Sequence, residues 1–236
     1  MIIKNNDINE IKINLIQSTF NPSSDETIKL SHQWDILLEE SKKGGKLLWD
    51  EPNYRLEDYY IKKNILHLEL SEIPFSTRYA LRYLPNLIID NNKLAPHALV
   101  VQALITTNDN YYIFGKKSQK YHTDLKYTLI GGMYSPIKGK QIEPLSALSN
   151  EISEELGVRH EMISDSKFIG VYESTNYNYY ILYKIELNKS KQELNVIFNN
   201  GNNDGELEKI FGIRKNKVKD FIKTEIPSCA GIVELL

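Results

Sequence analysis

Asn150-Glu151-Ile152-Ser153-Glu154-Glu155-Leu156-Gly157-Val158 is the stretch around which the rest of the chain is read. Upstream, Pro144 suits a first helical turn, and Gly157 suits the position just past the last one. The spacing predicts a helix over 144–156 with Leu145, Leu148, Ile152 and Leu156 as its apolar stripe. At about 100° per residue, Glu151, Glu154 and Glu155 fall on a different stripe, close enough for their carboxylates to meet. Like charges at these spacings cost a helix a few tenths of a kcal/mol per pair. The last two turns add to this, because the helix dipole disfavours each anion there by about 0.3–1 kcal/mol. No lysine or arginine between 144 and 156 offsets them. A divalent cation would reverse the sign, since clustered carboxylate oxygens are what a hard ion such as Mg²⁺ takes. On the helix alone a solvated acidic face is the favoured reading, and the residues around it shift the balance.

Working outward, Gly131-Gly132 follows a short strand predicted over 126–130, and a loop links the pair to the helix. Before it, 98–106 and 111–114 read as a hairpin about Thr107-Asn108-Asp109-Asn110. After the helix come strands over 167–172 and 179–187, a solvated loop over Asn199-Asn200-Gly201-Asn202-Asn203-Asp204-Gly205, a strand over 210–213 and helical residues to the end. Toward the N-terminus, Ile11–Leu15 alternates like a strand. Asp25 is read as the cap of a helix with apolar positions Ile28, Trp34, Leu37 and Leu38, ended by Gly44-Gly45. Strands over 54–61 and 65–70 turn at Lys63-Asn64, and Pro74 starts a short helix through Ala80 and Leu84. The polar run Asp90-Asn91-Asn92-Lys93 divides an N-terminal extension, 1–93, from a second domain, 94–236. Strands on both sides of one central helix predict an α/β (α+β) fold, a mixed sheet between helices with a mixed N-terminal extension.

Composition narrows the function classes. The chain has 236 residues, 41% of them apolar and 25% charged, which argues against disorder. No apolar run approaches the roughly 18 residues of a membrane span, and a polar N-terminus gives no secretory signal, so a cytoplasmic protein is expected. Cys229 is the sole cysteine, which excludes an internal disulfide and a cysteine-rich zinc site. Against 31 acidic residues the 29 basic ones form no stripe, and nucleic acid is not an expected partner. His97 and His122 have no companion at a metal-ligand spacing.

Gly131-Gly132, a loop, and then Asn150 to Val158 resemble the signature of the Nudix hydrolases: Gly, five residues, Glu, seven residues, then Arg-Glu-apolar-any-Glu-Glu-any-Gly-apolar. Three departures stand out. The segment between Gly132 and Asn150 is four residues longer than in the family. The signature's first Glu falls on Ile142 when aligned from the helix, or on Lys138 when counted from Gly132. Asn150 stands in place of the arginine. The chain also resembles the branch of that family that hydrolyses UDP-glucose and UDP-galactose, which carries an N-terminal extension. The matching residues there are His32-Gln33-Trp34-Asp35, Lys46-Leu47, Tyr54-Arg55-Leu56, the run Phe75 to Tyr83, Leu94-Ala95-Pro96-His97, and Tyr112 to Lys120.

The resemblance implies Mg²⁺, or Mn²⁺ in its stead, held by Glu151, Glu154, Glu155 and the carbonyl of Gly132. The same three glutamates are the catalytic candidates, with Glu154, Glu155 or a carboxylate elsewhere taking a proton from the attacking water. Lys116 and Lys117 are candidate phosphate ligands, against a solvated strand end as the plain alternative. Arg55 is a candidate substrate ligand, against a structural ion pair. The implied reaction splits a nucleoside diphosphate sugar into UMP and a sugar 1-phosphate. Hydrolysis of ADP-ribose or another nucleoside diphosphate derivative, and a non-catalytic nucleotide-binding module, are the competing readings.

Overall fold

Turn chemistry and alternation build most of the N-terminal part as read, with an unexpected first strand, a different cap on the first helix and a second helix that is split in two. A computed structural model describes residues 2–5, 8–45, 48–119, 126–136, 142–175, 177–201 and 203–236. Lys46-Leu47, Lys120, His122, Lys138 and Asn202, named above, lie outside them. Strand β1 is Ile2–Lys4 and β2 is Glu10–Leu15. Helix α1, Ser24–Lys43, is capped by Ser23 rather than Asp25: the Ser23 hydroxyl accepts from Glu26 N–H while the Glu26 carboxylate accepts from Ser23 N–H. Its buried positions are Leu30, Leu37 and Ser41, whereas Ile28 faces solvent. Strands β3 (Pro52–Lys62) and β4 (Ile65–Pro74) form the expected hairpin, with Lys63 and Asn64 both at positive φ. The single short helix expected next is two, α2 (Phe75–Leu81) and α3 (Pro85–Asp90), because Pro85 restarts the chain. Strands β2, β4 and β3 make a three-stranded sheet in that order.

The larger sheet is mixed, as expected. Strands β5 (Leu99–Thr106) and β6 (Tyr111–Lys117) form the hairpin. The strand read over 126–130 is two, β7 (Tyr127–Thr128) and β8 (Ile130–Met133), and Gly131-Gly132 lie inside β8 rather than after it. Helix α4 spans Pro144–Leu156, with Gly157 left-handed at φ +70° beyond its end. Then come β9 (Ile163–Glu173), β10 (Tyr179–Leu187), helix α5 (Lys191–Asn200), β11 (Leu207–Arg214) and helix α6 (Val218–Glu225). Helix α5 takes up the start of the stretch read as loop; Ser190 and Glu193 form its capping box, and Leu194 and Phe198 are its buried face. The sheet order is β1-β9-β10-β5-β6-β11, with β8 on β5 and β7 on β6.

Strand β5 is the axis, buried from Leu99 to Ile105, and pairs in parallel with β10. Both faces are covered, so it reads as an apolar run instead of alternating. Its other edge is shared: Val100–Ala103 pair with β8, and Ile105-Thr106 with β6. The sheet therefore forks between β6 and β8. One face packs Leu99, Val101 and Ile130 against Leu148 and Ile152 of α4, in a core that continues into Tyr54, Leu56, Leu66 and Leu68. The opposite face packs Val100, Phe114, Tyr172 and Tyr180 against Ile222, Cys229 and Ile232 near the C-terminus. Strand β3 is joined to the larger sheet and its flanks by Tyr54 N–H to Tyr134 C=O and Leu56 N–H to His97 C=O, both 2.9 Å. No helix among the described residues is long and apolar enough to cross a membrane.

Candidate functional site

Four segments converge on the fork: β8 with its glycines, α4 with its glutamates, the end of β6 with Lys117, and Glu206 just before β11. Helical geometry grades the glutamates. At 100° per residue Glu155 lies only about 20° from Leu148, Glu151 about 60° and Glu154 about 120°. Accordingly Glu155 is 1% exposed, Glu151 half-buried and Glu154 exposed. Glu155 thus belongs to the buried stripe rather than a separate acidic one.

Contacts fix the two inner carboxylates. Gly131 N–H donates to Glu155 Oε2 at 3.0 Å, and Lys117 Nζ donates to Glu155 Oε1 at 3.3 Å. The Glu151 carboxyl lies directly against Gly132: a Cβ there would sit 2.5 Å from Glu151 Oε2. Gly131, by contrast, needs to be glycine for its backbone, having φ +139°. Gly132 and Glu151 therefore meet in space despite the lengthened segment between them.

Glu206 and Asp204 escaped the sequence reading. Lys117 Nζ donates to Glu206 Oε2 at 2.8 Å, and the β6–β11 register sets Leu207 opposite Lys117. Asp204 N–H donates to the Glu154 carbonyl at 3.0 Å, which ties this loop to α4. Only strand pairing brings residues so far apart in sequence together.

The site is short of positive charge. Burial, then Glu155, Glu154 and Glu206, push the Glu151 carboxyl up to about 8. Burial pushes Glu155 up to about 7 against the opposing pull of Lys117 and Gly131 N–H. Burial alone would lower the Lys117 ammonium, but Glu155 and Glu206 outweigh it and hold its pKa above the ordinary lysine value. Clustered carboxylate oxygens beside a glycine that leaves room for one of them suit a hard divalent cation. Among the described residues, no three His, Cys, Asp or Glu side chains are already grouped as ligands around one point.

Of the other expected site residues, Lys116 projects away from its neighbour and pairs with Glu208 at 2.6 Å. Arg55 is not brought to the glutamates. Its guanidinium, 3% exposed, pairs with Glu57 and donates to Thr19 Oγ1 at 3.2 Å and to the Lys93 carbonyl at 3.2 Å. Burial would raise the Glu57 carboxyl, but hydrogen bonds from Arg55, Ser71 and Thr19 outweigh it and hold it at about 2. Asn150 is exposed and lines a groove with Ser146, Ser149 and Ser153. His32 and Asp35 lie on α1, and Trp34 meets Phe75 edge-on at 6.1 Å.

No family model matches the chain, and no curated protein does. Solved structures do. One is DR0079 from Deinococcus radiodurans, 16% identical with a TM-score of 0.41, the match covering 58% of this chain and 81% of that one. A Nudix hydrolase from Nitrosomonas europaea is 15% identical with a TM-score of 0.38, over 56% of this chain and 78% of its own. An Ap4A hydrolase from C. elegans is 14% identical, also with a TM-score of 0.38, over 58% and 93%. These likenesses span a little over half of the chain.

Proposed function

We propose that this chain is a Mg²⁺-dependent Nudix hydrolase that cleaves the diphosphate of a nucleoside diphosphate sugar, UDP-glucose or UDP-galactose foremost, to UMP and a sugar 1-phosphate. The observation that supports it best is the packing of the Glu151 carboxyl on Gly132, with Glu155 bonded to Gly131. That packing joins the two halves of the resembling signature. Glu151, Glu154, Glu155 and the Gly132 carbonyl are the proposed ligands of the metal. When bound, the ion polarises a phosphoryl oxygen and lowers the pKa of a water that can attack phosphorus. Glu154, the exposed member, is free to accept that water's proton, and Glu155 holds the glycine strand at its distance from the helix. Lys117 balances part of the carboxylate charge and reaches a phosphate by turning away from Glu206. Residues 1–93 shape the substrate side, with Arg55 clamping that segment to the chain at Lys93 and Ala95 rather than acting as a ligand.

The test is a panel of UDP-glucose, UDP-galactose, ADP-ribose and diadenosine polyphosphates, with and without Mg²⁺, scored by phosphatase-coupled phosphate release. Turnover of a UDP-sugar that needs the metal supports the proposal, and preference for ADP-ribose moves the substrate but keeps the chemistry. One observation favours a non-catalytic binding module: Lys117 already supplies a cation to Glu155 and Glu206. Nucleotide binding by calorimetry without turnover, unchanged in Glu154→Gln, would select that reading.

A further inference from the structure

Three charged residues are buried among the described residues, and two of them are answered: Arg55 by Glu57 and Glu155 by Lys117. The third, Arg78, is 6% exposed and pairs with no carboxylate among the described residues, and its Nε has no hydrogen-bond acceptor. Burying a guanidinium without an anion is strongly unfavourable. What Arg78 does have is a ring beneath it, its guanidinium lying 4.8 Å from the centroid of Phe75. One turn on, the Arg82 guanidinium lies 5.4 Å from the centroid of Tyr79, and Phe75 and Tyr79 stack at 5.3 Å. Such contacts return only part of the desolvation cost. Each ring covers one flat face of its guanidinium, and the buried Arg78 Nε keeps an N–H that nothing accepts.

The two cations make each other's position worse. Burial first, and Arg82 second, pull the Arg78 guanidinium down to about 10. The Tyr180 hydroxyl stands within electrostatic reach of both arginines. Arg82 itself is exposed. The arrangement is therefore a graded positive site, walled by the Phe75 and Tyr79 rings with the Tyr180 hydroxyl nearby.

We propose that Arg78 and Arg82 form a receptor for a phosphate-type oxyanion, with Arg78 at its base and Arg82 at its mouth. It stands on these residues alone and does not depend on the glutamate site being catalytic. A tetrahedral oxyanion can accept edge-on hydrogen bonds from two guanidiniums at once, which a single carboxylate does less well. The oxyanion comes either as inorganic phosphate or as the phosphate of a phosphomonoester.

The experiment uses the full chain in a buffer free of multivalent anions. Sodium phosphate is titrated against sodium chloride of matched ionic strength, with thermal melting and calorimetry as readouts. The wild type is expected to gain stability with phosphate alone. Arg78→Met should weaken the half-saturating concentration at least tenfold and leave the phosphate-free protein melting no lower than the wild type. Arg82→Met, at an exposed position that does not endanger folding, should weaken it several-fold. No phosphate effect beyond chloride in the wild type, or an unchanged response in Arg82→Met, overturns the proposal. So does an Arg78→Met protein that melts lower or fails to fold, since its charge would then be satisfied within the protein. Glucose 1-phosphate and UMP are titrated in parallel. Tighter binding of either identifies a phosphomonoester as the source, equal binding identifies the free oxyanion, and both outcomes support the receptor.

Discussion

Adding one methyl group at Gly132 separates a structural glycine from a functional one. In Gly132→Ala the new Cβ falls 2.5 Å from Glu151 Oε2. A relaxed contact needs roughly 3.5 Å, so the carboxyl must withdraw by about 1 Å. Gly132 is not among the glycines at positive φ, so alanine fits the backbone there. What yields is the free end of a flexible side chain, and the expected stability cost is below about 1 kcal/mol, a melting shift of no more than roughly 2–4 °C. Function responds differently, because a misplacement of about 1 Å at a reacting centre can cost around 100-fold in rate. Gly132→Ala should therefore lose about two orders of magnitude in kcat/KM for the best substrate of the panel while melting almost as the wild type does. Glu151→Gln should show the same pattern. The neighbouring Gly131→Ala is the contrast, since its Cβ would strike the Val101 backbone, 2.9 Å from the Gln102 Cα, and that variant should be grossly unstable. If Gly132→Ala keeps more than a third of wild-type activity, or loses activity only in proportion to lost fold, the carboxyl against this glycine does no catalytic work and the reasoning fails.

Mg²⁺ at ten times its dissociation constant should stabilise the protein by about 1.4 kcal/mol, or roughly 3–6 °C, and EDTA should remove the gain. A Glu151→Gln/Glu155→Gln double variant that still shows the gain would place the ion elsewhere. Glu57→Gln leaves the buried Arg55 charge unanswered, a loss of about 3–5 kcal/mol, so its melting temperature at pH 7 should fall by at least about 6 °C. The Glu57 pKa is held at about 2, below its ordinary value, so the contribution is present above about pH 4.5 and lost as pH falls toward 2. Melting curves across that window should converge for the wild type and the variant, and a constant gap would contradict the assignment. Gly157→Ala forces a side chain onto φ +70° while its Cβ meets only an ordinary 3.6 Å contact with Ile197. The cost is the backbone term alone, about 1–2 kcal/mol, to be read as a melting shift of roughly 2–8 °C with activity unchanged at 25 °C.

The parts of the fold that the sequence made legible are those specified locally. Helix α4 carries its own start in Pro144, its stop in Gly157 and its stripe in Leu148, Ile152 and Leu156. Two misreadings lay within reach of local rules. Ser23 and Ser190 each stand three residues before a glutamate, and that capping-box spacing would have corrected the start of α1 and found α5. The fork between β6 and β8 was not legible, because it depends on how β5 divides one edge between two partners. With the fork went Glu206, whose approach to Lys117 depends on the β6–β11 register.

That gap matters more than a missed residue. The glutamate triplet can be read from periodicity, but whether it holds a metal or is silenced by a lysine depends on charges that arrive from distant strands. Lys117 answers Glu155 and Glu206 together, with Glu151, Glu154 and Asp204 close by. One ammonium cannot neutralise that set, and the deficit appears where Glu151 rests on Gly132. Were Lys117 sufficient, a methyl at Gly132 would be a harmless addition and the glycine would need no further reason. The consequences of filling that small gap therefore decide between an enzyme and a self-neutralised shell.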